Sequence, residues 1–176
     1  MNPTIIHKTK WFWPWQDNLE EAWLAQMSQQ GLHLKQAHSP AGYDFVKGSP
    51  ETYAYRLDFQ DPRKNERRHE YLRLFADAGW DHLGAMGGWQ YFRKKVQPGE
   101  TSEIFTDADS KIQKYNRYLA YLGVTYPAVL VVLLIFRNSW PAWLIWVYAA
   151  VMLLFAVLAI AVSVKIAQRI RQLKLL

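Results

Sequence analysis

The chain has 176 residues, no cysteine and a formal charge of +6 at pH 7. Without cysteines there can be no disulfide, no thiolate zinc site and no cysteine nucleophile. Residues 1–110 carry 13 Lys/Arg against 15 Asp/Glu and residues 111–176 carry eight basic and no acidic residues, so the basic balance flanks the apolar runs and direct nucleic-acid binding is not expected.

Residues 1–8 lack the apolar centre of a signal peptide. Thr9, Trp11 and Trp13 alternate with Lys10 and Phe12, which predicts a strand over residues 9–13 that Pro14 ends. Asp17 or Asn18 can cap a helix carrying Leu19, Ala22, Trp23, Gln26 and Met27 at helical spacing, and Gly31 stops it. Residues 32–38 and 43–47 read as strands joined by the Pro40-Ala41-Gly42 turn. The order then restarts. Tyr53, Tyr55, Leu57 and Phe59 alternate as a half-buried strand, and Asp61-Pro62 opens a helix with Tyr71, Leu72, Phe75 and Ala78 on its inner face. Gly79 closes that helix, and residues 80–86 and 89–96 form a hairpin about Gly87-Gly88. Residues 103–105 read as a short extension.

Trp23 superimposes on Tyr71, Leu24 on Leu72, Met27 on Phe75 and Gly31 on Gly79, while Tyr43-Asp44-Phe45 falls on Trp89-Gln90-Tyr91. A strand–helix–strand–strand unit therefore occurs twice. Neither unit can bury a sheet face alone, so the expectation is α+β: a duplicated βαββ domain with one antiparallel sheet and both helices on one side.

Residues 118–136 and 140–164 hold no charged residue, and a membrane span needs about 20 mostly apolar residues. The expected order is a cytosolic domain (1–109), a juxtamembrane helix (110–117), a first span (118–136), an external turn (137–139), a second span (140–164) and a basic tail (165–176). Residues 106–110 offer helix caps, so one helix can run from the domain into the first span, kinked at Pro127. Lys111, Lys114 and Arg117 precede the spans, Lys165, Arg169, Arg171 and Lys174 follow them, and only Arg137 lies between. Basic flanks stay inside, which predicts a multi-pass protein of the cell membrane with both termini cytoplasmic. Tyr115, Tyr118 and Tyr121 at one boundary and Trp140, Trp143 and Trp146 at the other read as interfacial anchors.

The five histidines are scattered, with His33 and His38 an odd number of residues apart on one predicted strand and hence on opposite faces. No metal site and no cofactor is expected. The Asp107-x-Asp109 pair lacks the glycine and terminal glutamate of a calcium loop, and no nucleophile elbow or phosphate loop occurs. Arg63, Lys64, Arg67 and Arg68 form a basic cluster that reads as a solvated helix face or a docking patch for an acidic partner. The domain's aromatic load is its most unusual feature. Trp11, Trp13, Trp23, Tyr43, Tyr55, Trp89 and Tyr91 either fill the core or line a groove between the repeats for a flat hydrophobic or cationic ligand. Glu20, Glu21 and Asp58 are acids that would favour a cation there.

Lys10-Trp11-Phe12-Trp13, Gly31-Leu32-His33-Leu34, Tyr55-Arg56-Leu57-Asp58, Gly88-Trp89-Gln90-Tyr91-Phe92-Arg93-Lys94 and Ile104-Phe105-Thr106-Asp107 together resemble domain of unknown function 2812, over roughly residues 8–117. Leu32 stands where that family usually has Trp. The resemblance implies an uncharacterised bacterial membrane protein with a cytosolic domain, often encoded beside PadR-type transcription regulators, and supplies no catalytic residue. A duplicated βαββ unit is also similar to GyrI-like domains that bind amphipathic cations. The expected function is a non-enzymatic, membrane-anchored sensor or interaction protein whose cytosolic domain binds a small ligand or a transcription regulator. The alternative is an assembly subunit of a membrane complex such as a transporter, with Ala149, Ala150, Ala156, Ala159, Ala161 and Ser163 as the helix-contact surface. The lipid bilayer is the expected partner in both readings, and a homo-oligomer is left open.

Overall fold

A computed structural model of the chain describes residues 4–63, 68–96, 108–136 and 141–173. The chain divides into two compact units, Met1–Ser110 and Lys111–Leu176.

In the first unit the order β1 (Ile5–Thr9), α1 (Asp17–Gln29), β2 (Leu32–His38), β3 (Gly42–Lys47) is followed by β4 (Tyr53–Phe59), α2 (Arg68–Asp77), β5 (Asp81–Met86), β6 (Trp89–Lys95). The strand–helix–strand–strand order thus recurs. The strands make two three-stranded antiparallel sheets, β1-β3-β2 and β4-β6-β5, rather than one. Edge strands β2 and β5 lie in contact without a shared ladder. Each carries a bulge, between Leu34 and Gln36 in β2 and between His82 and Gly84 in β5, and a bulge twists an edge away from regular pairing.

The bulges also fix the equivalence of the repeats. Leu34 lies opposite Phe45 and His82 opposite Phe92, so Phe45 corresponds to Phe92 and not to Tyr91. The turn between β5 and β6 is one residue shorter than that between β2 and β3. A slip of one residue reverses every side chain. With this register the helices dock alike. Trp23 of α1 packs edge-on against Phe45 at 5.7 Å, and Tyr71 and Phe75 of α2 pack against Phe92 at 6.0 and 4.4 Å between ring centroids.

The helices do not, however, share one side of the second sheet. α2 covers the face that carries Ala54 and Phe92, with Trp80 beside them. The opposite face, with Tyr55, Leu57 and Tyr91, joins Leu34, Tyr43 and Phe45 of the first sheet around Trp23, Leu24 and Met27 of α1. One aromatic-rich core therefore spans both sheets, and α1 is its centre. Glu21 reinforces this position: its Oε1 accepts the outward-facing amide of Leu57 at 2.8 Å, at the edge of β4.

Gly31 ends α1 with φ +75°, and a Cβ there would lie 2.5 Å from the Gly48 carbonyl oxygen. Only glycine fits both that conformation and that approach. The N-cap of α1 is Gln16, without a side-chain cap bond, rather than Asp17 or Asn18. The first strand is also displaced from its predicted position. Pairing with β3 runs from Ile5 opposite Val46 to Thr9 opposite Gly42, so Trp11–Trp15 leave the sheet as a loop. At Asp61 the expected helix start is a turn, with the Asp61 carboxylate accepting the Arg63 amide and guanidinium. Lys64 and Arg67 of the basic cluster, residues 103–105 and Asp107 lie outside the described residues.

α3 (Ala108–Phe136), which begins three residues before the second unit, is one helix containing Pro127, and it carries Lys111, Lys114 and Arg117 in its early turns. α4 (Ala142–Leu173) runs past the apolar stretch, so Lys165, Arg169 and Arg171 are helical rather than part of a separate tail. Among the described residues one helix, Trp143–Leu173, is long and apolar enough to cross a membrane, with a mean hydropathy of 2.7 over its most apolar window. The turn at 137–139, Trp140 and Lys174 lie outside the described residues.

A candidate ligand-binding cleft

Four of the seven aromatic residues singled out from the sequence meet at one place. Trp11 and Trp13 from the β1–α1 loop and Trp89 and Tyr91 from β6 line an open cleft of ≈ 230 Å³, together with Phe12, Pro14, Asp17, Glu20, Pro40, Leu57 and Met86. The elements explain the convergence. Pro14 and the short turn closed by Gln16 donating its amide to the Trp13 carbonyl fold the loop back, and the Gln16 side chain accepts the Trp13 amide at 3.0 Å. Trp11 packs edge-on against Trp13 at 5.6 Å, and Trp13 stacks on Trp15 at 5.2 Å with planes 6° apart. Trp11 and Trp13 remain 55% and 37% exposed, and these open indoles make the rim.

The other three aromatics serve differently. Trp23 and Tyr55 are core, as the alternative reading held. Tyr43 is buried in the same core and touches the cleft only through Glu20, to whose Oε1 its hydroxyl donates at 2.8 Å. Tyr91 donates to the same oxygen at 2.6 Å. Glu20 itself is only 6% exposed. Burial pushes its carboxyl above the ordinary carboxylate range, the two tyrosine hydroxyls pull it back in part, and the nearby Asp17 charge pushes it further up. Both phenols are raised in turn, first by burial and then by the Glu20 charge.

Of the three acids named from the sequence, Glu20 alone lines the cleft. Glu21 holds Leu57 and lies 3.5 Å from Arg56 Nη1. Asp58, fully buried, faces α2 and accepts from Tyr71 at 2.8 Å and Gln60 at 2.7 Å. Asp17, expected to cap a helix, is instead a buried wall of the cleft. An acid in the first turn of the predicted helix, one turn before Trp23, was the legible signal for Glu20; its burial was not. Ser39, Pro40 and Gly87 come from the turns after β2 and β5, and Met86 from the end of β5; the fold brings them to the cleft, which spacing alone could not show.

The histidines have a different arrangement from the one expected. The β2 bulge restores His33 and His38 to a common face, opposite Val46 and Gly42. His38 Nε2 lies 2.9 Å from one Asp44 oxygen and His7 Nδ1 2.6 Å from the other. These bonds, that of His38 first, hold the Asp44 carboxyl below its usual range. Among the described residues no His/Asp/Glu group has an arrangement that could hold a metal ion.

The chain thus combines an α+β domain, whose aromatic cleft includes the buried acids Asp17 and Glu20, with a candidate membrane span. The chain belongs to the family described as protein of unknown function (DUF2812), whose model matches residues 16–126. That match runs from α1 into α3, so Glu20, Tyr43, Trp89 and Tyr91 fall inside it and the rim residues Trp11 and Trp13 precede it. No curated protein and no solved structure matches the chain.

Proposed function

We propose that this protein is a membrane-anchored, non-enzymatic sensor whose cytosolic domain binds a flat amphipathic cation in the cleft. The observation that carries the reading is that Glu20 lines the same cleft as Trp11, Trp13 and Trp89. Aromatic faces attract a cation through their quadrupole, and an acid in the same cleft supplies the opposite charge in a partly desolvated site. α3 and α4 form the anchor in this reading, as a hairpin with both termini cytoplasmic, because the basic residues gather at its two ends. α3 runs from Ala108 to Phe136 as one helix, so it carries the basic residues of its early turns directly into the first apolar run. The downstream partner would be a transcription regulator of the PadR type.

The test is calorimetric titration of the full-length protein in detergent with a phenanthridinium dye and with neutral phenanthridine. The cation should bind at least about tenfold more tightly than its neutral analogue, and Glu20→Gln should remove that preference. Equal affinity for the two, or no binding of either, would sink the reading. The runner-up, an assembly subunit of a membrane complex, rests on the exposed apolar surface of α4. Replacing the apolar helices with an unrelated anchor would abolish function under that reading and preserve it under the first.

A further inference from the structure

The loop between β1 and α1 presents more exposed aromatic surface than a ligand rim requires. Trp11, Trp13 and Trp15 form a continuous ladder of indoles, with Trp11 more than half exposed. From Thr4 to Gln16 the sequence holds Lys8 and Lys10 and no acidic residue, and the first acid beyond it, Asp17, is buried in the cleft wall. The Lys10 ammonium rests over Phe12 and Trp23, at 5.2 and 5.1 Å from their ring centroids, which keeps a positive charge beside the indoles. Tryptophan is at its most favourable where an apolar body meets polar headgroups, and lysine beside it complements anionic lipid. The same chain carries a helix long enough to cross a membrane, which holds the domain at high effective concentration near a lipid surface.

We propose that this loop is a bilayer-contact surface: Trp11, Trp13 and Trp15 enter the headgroup region of an anionic leaflet, with Lys8 and Lys10 pairing lipid phosphates. The cleft mouth then faces the leaflet, where amphipathic compounds concentrate. Bilayer contact does not depend on what the cleft binds, so either proposal can fail without the other.

The absence of native cysteine makes site-specific labelling direct. Asn18→Cys, at the loop-proximal end of α1, and Lys35→Cys, exposed on β2, each take an environment-sensitive fluorophore in the full-length protein in nanodiscs containing phosphatidylglycerol. Quenching by headgroup-nitroxide lipid should be at least roughly twofold stronger at position 18 than at 35, and weaker in pure phosphatidylcholine. It should fall to the position-35 level in a Trp11→Ser/Trp13→Ser background whose circular dichroism is unchanged. If that background unfolds, Lys8→Gln/Lys10→Gln is used in its place, and the anionic-lipid increment should vanish. Equal quenching at both positions, or quenching indifferent to these substitutions, overturns the proposal.

Discussion

Replacing Glu20 with glutamine separates a structural role for this residue from a ligand-binding one. The carboxylate accepts from two tyrosine hydroxyls at 2.8 and 2.6 Å. A hydrogen bond to a charged group contributes about 1.5–3 kcal/mol and one to a neutral group about 0.5–1.5, so the substitution gives up about 1 kcal/mol per bond. Against this stands the cost of burying the charge. Because burial outweighs the tyrosines and leaves the carboxyl raised above 4.5, the ionised form is disfavoured overall in the folded state. The sign follows from linkage: between the unfolded and folded pKa values the native state binds the extra proton, so stability falls as pH rises through that interval and stays low above it. Glutamine removes that loss. Each unit of upward shift corresponds to about 1.4 kcal/mol, and 1 kcal/mol moves the midpoint of a protein this size by about 2–4 °C. Thermal melts of the full chain in detergent, followed by tryptophan fluorescence from pH 4 upwards, should show Glu20→Gln equal to or more stable than wild type at pH 7. The wild-type decline on leaving pH 4.5 should be absent in the variant. Cation affinity should nonetheless drop at least about tenfold. A variant destabilised by several degrees at pH 7, with an unaltered pH profile, would make Glu20 a structural hub and refute the reasoning.

Gly31→Ala forces a left-handed backbone on alanine and drives its Cβ to 2.5 Å from a backbone oxygen; a loss of about 2–4 kcal/mol is expected in the same melts. Phe92→Ala removes a fully buried ring stacked on Phe75 at 4.4 Å and should cost about 3–5 kcal/mol, whereas a loss below about 1 kcal/mol would contradict the docking of α2. Asp44→Asn tests the His38–Asp44–His7 cluster. The lowered carboxyl pKa stabilises the fold above the unfolded value of 3.8 and that contribution is lost as pH falls through the folded value, so the variant should be less stable at neutral pH and should show a shallower acid limb.

Periodicity and turn residues sufficed for the order of elements. Alternation in Tyr53–Phe59, helical spacing around Trp23 and the stops at Gly31 and Gly79 are local signals, and local signals fix local structure. The duplication was visible because Trp23/Tyr71 and Met27/Phe75 keep the same helical positions, and the uncharged runs were visible because charge is costly in hydrocarbon. Where the strands pair was not local. The bulges in β2 and β5 fall at matching positions, so it is the shorter turn before β6 that moves Phe45 onto Phe92, and one residue of register decides which face a side chain occupies. The β2 bulge also puts His33 and His38 on one face, and α1 and α2 cover opposite faces of the second sheet because its Tyr55, Leu57 and Tyr91 face packs with the first sheet around α1. The aromatic set was readable as a set. Its division into core (Trp23, Tyr43, Tyr55), half-buried or buried cleft wall (Trp89, Tyr91) and exposed rim (Trp11, Trp13) depended on contacts between residues up to 71 positions apart, as between Glu20 and Tyr91. Composition determined that this protein would be aromatic-rich and apolar at its C-terminal end; only tertiary packing decided that the indoles would share a cleft with a buried acid, because burial and proximity belong to the folded chain and not to its sequence.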